Sequence, residues 1–207
     1  MKYLLILIIC IIAFAHCEAQ YTYMPDPKAK MVNDKAINTY IRYNKNQDSV
    51  VSVIRMLDQA LNIDSNYFIA WTNKLSFECQ LKQYDNALNT AKRIIRIFPD
   101  QTNVIFFSGL LEFKTGHNDE ATATFNKLIN IYDEVPDTNN NSDHLKTALL
   151  NKGIALKLMG KADESRKIFV NLSIKESDLA VRRHINAYIS KSKEEIINKL
   201  LNESIAQ

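Results

Sequence analysis

The chain has 207 residues, of which 46% are hydrophobic and 24% are charged, and its formal net charge is +3. This length and composition suit one folded domain with a sizeable core, and only four glycines and four prolines argue against collagen-like or many-turned β architectures. The basic residues are spread along the chain and form no stripe, so nucleic acid is not an expected partner.

The N-terminus carries an apolar run from Tyr3 to Ala15. This run is shorter than the roughly 20 residues that a membrane-spanning helix needs, but it suits the apolar core of a secretory signal. We expect residues 1–19 to be a signal peptide, with cleavage after Ala19 and export to the periplasm or cell envelope. Three alternatives stay open. The first is cleavage after Ala15, which would leave His16 first. The others are lipid attachment at Cys17, although His16 fits a lipoprotein signal poorly, and an uncleaved membrane anchor.

Removal of the signal peptide would leave Cys79 as the one cysteine of the mature domain when Cys17 is removed or lipidated. No intramolecular disulfide would then be available. Cys79 stands between Phe77 and Leu81 in a predicted helix, so we expect its thiol to be buried. Residues 20–28, which include Pro25, are predicted to form an extended leader.

Apolar residues recur at helical spacing from residue 29 to residue 177, and the best-patterned stretch runs from Trp71 to Asp133. Its two halves align when one is moved by 34 residues, which is typical of stacked helical pairs. The pattern predicts one such pair as helices at 101–115 and 118–133. The aligned positions are Ala87 with Ala121, Ala91 with Phe125, Ile94 with Leu128 and Pro99 with Asp133.

The pattern resumes after a polar loop at 134–143, with Gly153 in the place of Gly109. A helix with Ser192 and Glu195 as a capping box follows near the C-terminus. We predict C-terminal capping helices at 178–207 that cover the exposed end of the array. The predicted repeat units are 34–66, 67–100, 101–133 and 144–177.

These residues resemble the tetratricopeptide repeat family, whose 34-residue helix–turn–helix unit carries a pattern of Trp, Leu-Gly, Tyr, Ala, Phe and Pro. The third unit matches best, and the resemblance covers roughly residues 34–177. It implies an all-α, right-handed superhelical array of about four hairpins plus a C-terminal capping helix. The best-matching residues are Gly109, Gly116, Ala121 and Phe125.

Membership of this family implies a non-enzymatic module that holds a peptide or partner protein on the concave face, which the first helix of each pair lines. Arg42 and Lys45 would form its cationic end and Phe106 an apolar anchor. Asn38 and Phe107 fall where the family's carboxylate clamp needs Lys and Arg, so we do not infer that specificity. The predicted concave-face residues are Asn38, Arg42, Lys45, Thr72, Asn73, Ser76, Gln80, Asn103, Phe106, Leu110, Phe113 and Lys157.

No phosphate-binding loop, zinc-ligand spacing or nucleophile motif is present in the sequence, so no enzyme activity, cofactor or metal is expected. The acidic residues around the 134–143 loop are interpreted as a solvated loop, since the spacing of a calcium loop is missing. Two other functions stay open: a lipid-anchored structural subunit of an envelope assembly, and a binder of small solutes or glycans. The latter would need exposed aromatic platforms at Phe106 and Phe113.

Overall fold

A computed structural model describes residues 23–43, 47–134 and 143–203. The predicted signal peptide with Cys17, the first residues of the leader, Lys45 and most of the 134–143 loop lie outside the described residues. The described part contains ten α-helices and no strand, which confirms the all-α class. The helices are α1 (Pro27–Tyr43), α2 (Gln47–Ile63), α3 (Phe68–Gln80), α4 (Tyr84–Ile97), α5 (Thr102–Lys114), α6 (Asn118–Asp133), α7 (Asp143–Leu158), α8 (Ala162–Lys175), α9 (Leu179–Ser190) and α10 (Lys193–Glu203).

Consecutive helices pack against each other as four hairpins, α1–α2, α3–α4, α5–α6 and α7–α8. Contacts of α2 with α3, of α4 with α5 and of α6 with α7 join each hairpin to the next. One hydrophobic cluster fills the first hairpin and reaches α3, and a second extends from α3 to α10. Trp71 packs against both clusters, so α3 joins the two parts of the core. None of the described helices is long and apolar enough to cross a bilayer.

Three of the hairpin turns share one backbone geometry. Each turn has a residue at positive φ, namely Lys82 (56°), Gly116 (85°) and Gly160 (82°). The following amide in each turn donates to the carbonyl five residues earlier, which is the Schellman way of ending a helix. These bonds are Gln83 to Glu78 (2.9 Å), His117 to Glu112 (2.8 Å) and Lys161 to Leu156 (2.9 Å). The turns therefore repeat at the same offsets as the sequence pattern.

Close contact within the third and fourth hairpins depends on glycine. A Cβ atom added at Gly109 would lie 2.7 Å from Cζ of Phe125, and one added at Gly153 would lie 2.7 Å from Cε1 of Phe169. Both phenylalanines are fully buried. The second hairpin has the large and small residues exchanged, with Leu75 and Ala91 at the corresponding positions. The repeat thus keeps the combined volume of two facing residues.

The first helix begins inside the predicted leader of residues 20–28, because Asp26 and Pro27 form a helix start. The Asp26 carboxylate accepts the amides of Lys28 (2.7 Å) and Ala29 (3.3 Å). Proline at the first helical position loses nothing, since its missing amide would have no partner within the helix. The preceding segment is fastened to the α2–α3 turn, where Asp64 accepts the Tyr23 hydroxyl and, at 2.9 Å, the Asp26 amide.

The two terminal helices do not share one role. Helix α9 packs against α8, as a helix that covers the last hairpin would, but α10 packs against α5 and α3. The prediction that both helices cover the end of the array is therefore wrong for α10. The physical reason lies in α5, where nine of 13 residues are buried. A helix that is apolar on all sides needs a neighbour on every side.

Candidate functional site

The middle of the predicted groove is closed. Phe106, Leu110 and Phe113 are all buried, with 5%, 0% and 9% of their surface exposed. The rings of Phe106 and Phe113 each lie 5.7 Å from that of Phe125 in α6. The prediction of Phe106 as an exposed anchor is wrong, because its ring belongs to the core. The same burial removes the aromatic platforms that solute or glycan binding would need.

Helix α10 is the element that closes this face. Its side chains Ile196, Ile197 and Leu201 are buried in the cluster that also contains Phe113. Nζ of Lys114 donates to Oδ1 of Asn198 at 2.7 Å. Nζ of Lys193 lies 3.1 Å from the centre of the Phe113 ring, and desolvation there lowers the pKa of Lys193. Three apolar side chains and two polar contacts thus hold α10.

The other predicted residues of α3, α5 and α7 are half-buried, and several of them bind within the chain. Asn73 donates to the buried Asn33 of α1 at 2.9 Å, and Thr72 donates to the Ile69 carbonyl at 3.0 Å. Lys157 donates to the Ile189 carbonyl at 2.6 Å, where it satisfies an acceptor in the last turn of α9. The remaining half-buried members are Ser76, Gln80 and Asn103.

The two described residues of the predicted set that remain exposed, Asn38 and Arg42, lie on α1. They continue a stripe on one face of that helix with Met31 and Lys35, at spacings of three and four residues. Met31 is 66% exposed. Tyr43 is 56% exposed at the end of the same helix. This face therefore combines cations with apolar side chains open to a partner.

The exposed surface continues from α1 onto α2. Met31 and Lys35 line a groove between the two helices whose other wall includes Arg55 and Met56. We call the exposed residues Met31, Lys35, Asn38, Arg42, Tyr43 and Arg55 the first-hairpin surface. Arg55 is absent from the predicted set because that set contains only residues from the first helix of each pair. The signal was present, since Arg55 occupies a polar position between Ile54 and Leu57 of a predicted amphipathic helix.

The first-hairpin surface carries three cations, and the carboxylate of Asp34 lines the same groove as Lys35 and Arg42. Lys35, Arg42 and Arg55 form no ion pair with any described residue. By contrast, Lys30 on the adjoining face of α1 pairs with Asp34 at 2.6 Å. Exposed cations beside apolar side chains are suited to acidic segments of a protein partner.

Two buried glutamates follow the repeat but belong to the core. Glu112 accepts the Thr124 hydroxyl at 2.7 Å and lies 3.5 Å from Nζ of Lys92. Glu78 holds the corresponding position in the second hairpin, 3.8 Å from Nζ of Lys74, and its Oε2 has no hydrogen-bond partner among the described residues. Burial raises the pKa of Glu78, and this outweighs the opposing effects of Thr90 and Lys74.

No protein-family model matches the chain, and no curated protein matches its sequence. The resemblance to the tetratricopeptide repeat family therefore depends on the residues of this chain and on their geometry. Among the described residues, no group of three or more His, Cys, Asp or Glu is arranged to hold a metal ion.

Proposed function

We propose that the chain is a non-enzymatic protein-interaction module, built as a right-handed superhelical array of tetratricopeptide-like hairpins. Support for the family comes from the repeated turns at Lys82, Gly116 and Gly160 and from the repeated Gly–Phe contacts. Both features occur at the offsets of the sequence repeat. A stack of this kind presents an extended, rigid surface, which suits it to hold a protein partner.

The proposed binding mode depends on the exposed cations and apolar side chains of the first-hairpin surface. Its three cations, which form no ion pair with a described residue, lie on one hairpin with the exposed Met31 and Tyr43. By contrast, α10 covers the face formed by α3 and α5. The partner that fits this surface is a protein segment with acidic side chains between apolar ones. Its carboxylates would pair with Lys35, Arg42 and Arg55, and its apolar residues would pack on Met31.

We propose that the module acts outside the cytoplasm, in the periplasm or at the cell envelope. The apolar run from Tyr3 to Ala15 supports this location. The mass of the mature N-terminus tests it, and a chain that begins at Gln20 without lipid is the expected result. A lipid on Cys17 would instead favour the structural subunit of an envelope assembly.

The binding mode is tested by reversal of the three cations in one variant, Lys35→Glu/Arg42→Glu/Arg55→Glu. A matched control reverses three exposed cations on α6 and α8, in the variant Lys127→Glu/Arg166→Glu/Lys167→Glu. Both variants change the net charge equally. Proteins that co-purify with each tagged chain from envelope extracts are quantified by mass spectrometry, after circular dichroism has shown that both variants are folded.

We expect the first-hairpin variant to lose its specific partner by about tenfold or more, and the control to keep it, because reversed charges at an interface repel the partner's carboxylates. Retention of every partner by the first-hairpin variant would refute the proposed binding surface. Equal loss from both variants would show that net charge, and not this surface, determines binding.

A further inference from the structure

The covered face of α3 and α5 has the properties of a helix-binding groove. On this face, the ring of Phe113 contacts the cation of Lys193, and Lys114 donates a hydrogen bond to Asn198. Both partners lie on one short helix of the same chain, α10. The segment that binds there is distant in sequence, since 84 residues separate Lys114 from Asn198. The face therefore contacts an amphipathic helix through side chains that lie far from that helix in sequence.

Helix α10 is a self-contained unit. Its capping box closes locally, with the Ser192 amide donating to Glu195 at 2.8 Å and the Glu195 amide donating to Oγ of Ser192 at 3.2 Å. Lys191, which ends α9, has an extended backbone. Lys157 fixes the end of α9 from the other side. The N-terminal cap of α10 therefore needs no residue of α9, and the end of α9 is held by Lys157.

We propose that the α3–α5 face is a second docking site, for an amphipathic helix of a partner, and that α10 is its displaceable internal occupant. This inference rests on the proposed function as an interaction module, but it concerns a different surface from the first hairpin. A helix enters such a groove with its apolar face, and its side chains select the partner.

The contacts that α10 makes on this face indicate which residues the partner helix needs. Two adjacent apolar residues and a third four positions further on are needed in place of Ile196, Ile197 and Leu201. A hydrogen-bond acceptor beside the apolar pair would meet Lys114, as Asn198 does. A cation three residues before the apolar pair would lie over the ring of Phe113.

The test uses the full chain with a protease site inserted between Lys191 and Ser192, so that cleavage removes the tether of α10. The probe is a fluorescently labelled peptide of residues 191–203, and its binding is followed by fluorescence anisotropy. The uncut chain is the first control, since its tethered α10 competes at high effective concentration. The second control is the same peptide with Ile196→Asp and Ile197→Asp.

We expect saturable binding of the peptide to the cut chain, binding about tenfold or more weaker to the uncut chain, and no binding of the aspartate peptide. The proposal is overturned by absence of binding to the cut chain, by equal binding of the aspartate peptide, or by equal binding to cut and uncut chains. Loss of the helical circular dichroism signal after cleavage also overturns it, because α10 would then be an indispensable part of the core. If the peptide fails to bind the cut chain while the charge reversals on the first hairpin still abolish co-purification, the second docking site is refuted and the proposed function is not.

Discussion

At the scale of single residues, the turn at Lys82 differs from its two counterparts because it lacks glycine. Lys82 adopts φ 56°, where Gly116 and Gly160 occupy the equivalent turns. A side chain in this left-handed region costs about 1 kcal/mol or more. We predict that Lys82→Gly raises the free energy of unfolding by about 1 kcal/mol, as measured by urea denaturation.

The matched control for Lys82 is Gly116→Ala. No atom lies within 4 Å of a Cβ added at Gly116, so this substitution changes backbone strain without a steric clash. It should lower stability by about 1 kcal/mol. A loss of stability on Lys82→Gly would contradict the explanation of the turns.

The buried carboxyl of Glu78 makes the free energy of unfolding depend on pH. Its pKa is raised, so the folded chain keeps this proton to a higher pH than the unfolded chain does. The contribution of Glu78 to stability is therefore fully present below its ordinary pKa of 4.5 and is lost as pH rises through the folded-state pKa. We predict that Glu78→Gln is close to neutral at pH 4 and stabilises by about 1 kcal/mol at pH 8 in urea denaturation.

Glu112→Gln is the control for Glu78→Gln, since the two glutamates hold the same repeat position. Glu112 has partners for both oxygens, Thr124 and Lys92. Its substitution should therefore destabilise by about 1.5 kcal/mol at pH 8. A stabilisation by Glu112→Gln, or a destabilisation by Glu78→Gln at that pH, would show that the orphaned oxygen of Glu78 is not the cause.

At the scale of elements, the Gly109–Phe125 pair of the third hairpin can be replaced by the residue types of the second hairpin, which has Leu75 and Ala91 at these positions. Gly109→Leu overfills the contact, and Phe125→Ala leaves a cavity that costs roughly 3–5 kcal/mol. The double variant Gly109→Leu/Phe125→Ala copies Leu75 with Ala91. We predict that thermal or urea denaturation will show the double variant to be more stable than Phe125→Ala alone. If the double variant loses as much stability as the two single variants together, this would contradict the idea that the repeat keeps the combined volume of the two residues.

Much of the element pattern could be predicted from sequence. Helix α6 has the predicted bounds, Asn118–Asp133, and α5 begins and ends within one residue of the prediction. Apolar spacing sets these helices, and Gly116 ends α5. The prediction that Phe106, Leu110 and Phe113 of α5 line an open groove is wrong, because α5 is apolar on every side and such a helix is buried.

The position of α10 could not be predicted from periodicity. A repeat offset relates neighbouring hairpins, but the contacts of Asn198 and Lys193 reach back to α5, past the whole α7–α8 hairpin. Such contacts depend on where the chain turns after α9. Lys157 contributes to that turn by its bond to the Ile189 carbonyl, a role that the spacing of Lys157 did not reveal.

At the scale of the whole molecule, the two ends of the hairpin stack differ. The first hairpin leaves Asn38 and Arg42 open, whereas α10 covers α3 and α5 and α9 covers α8. Binding is therefore expected at the first hairpin, with the α3–α5 face available only after α10 leaves. Substitution of Phe106 would test stability and not recognition, because its side chain is in the core.

Photo-crosslinking tests the proposed binding surface most directly. A photoreactive amino acid replaces Arg42 in one chain and the exposed Lys167 of α8 in another, and the adducts formed in the cell envelope are mapped by mass spectrometry. We predict one specific adduct from position 42, to a partner segment rich in Asp and Glu, and no adduct of that partner from position 167. The same partner crosslinked from position 167 but not from position 42 would contradict it.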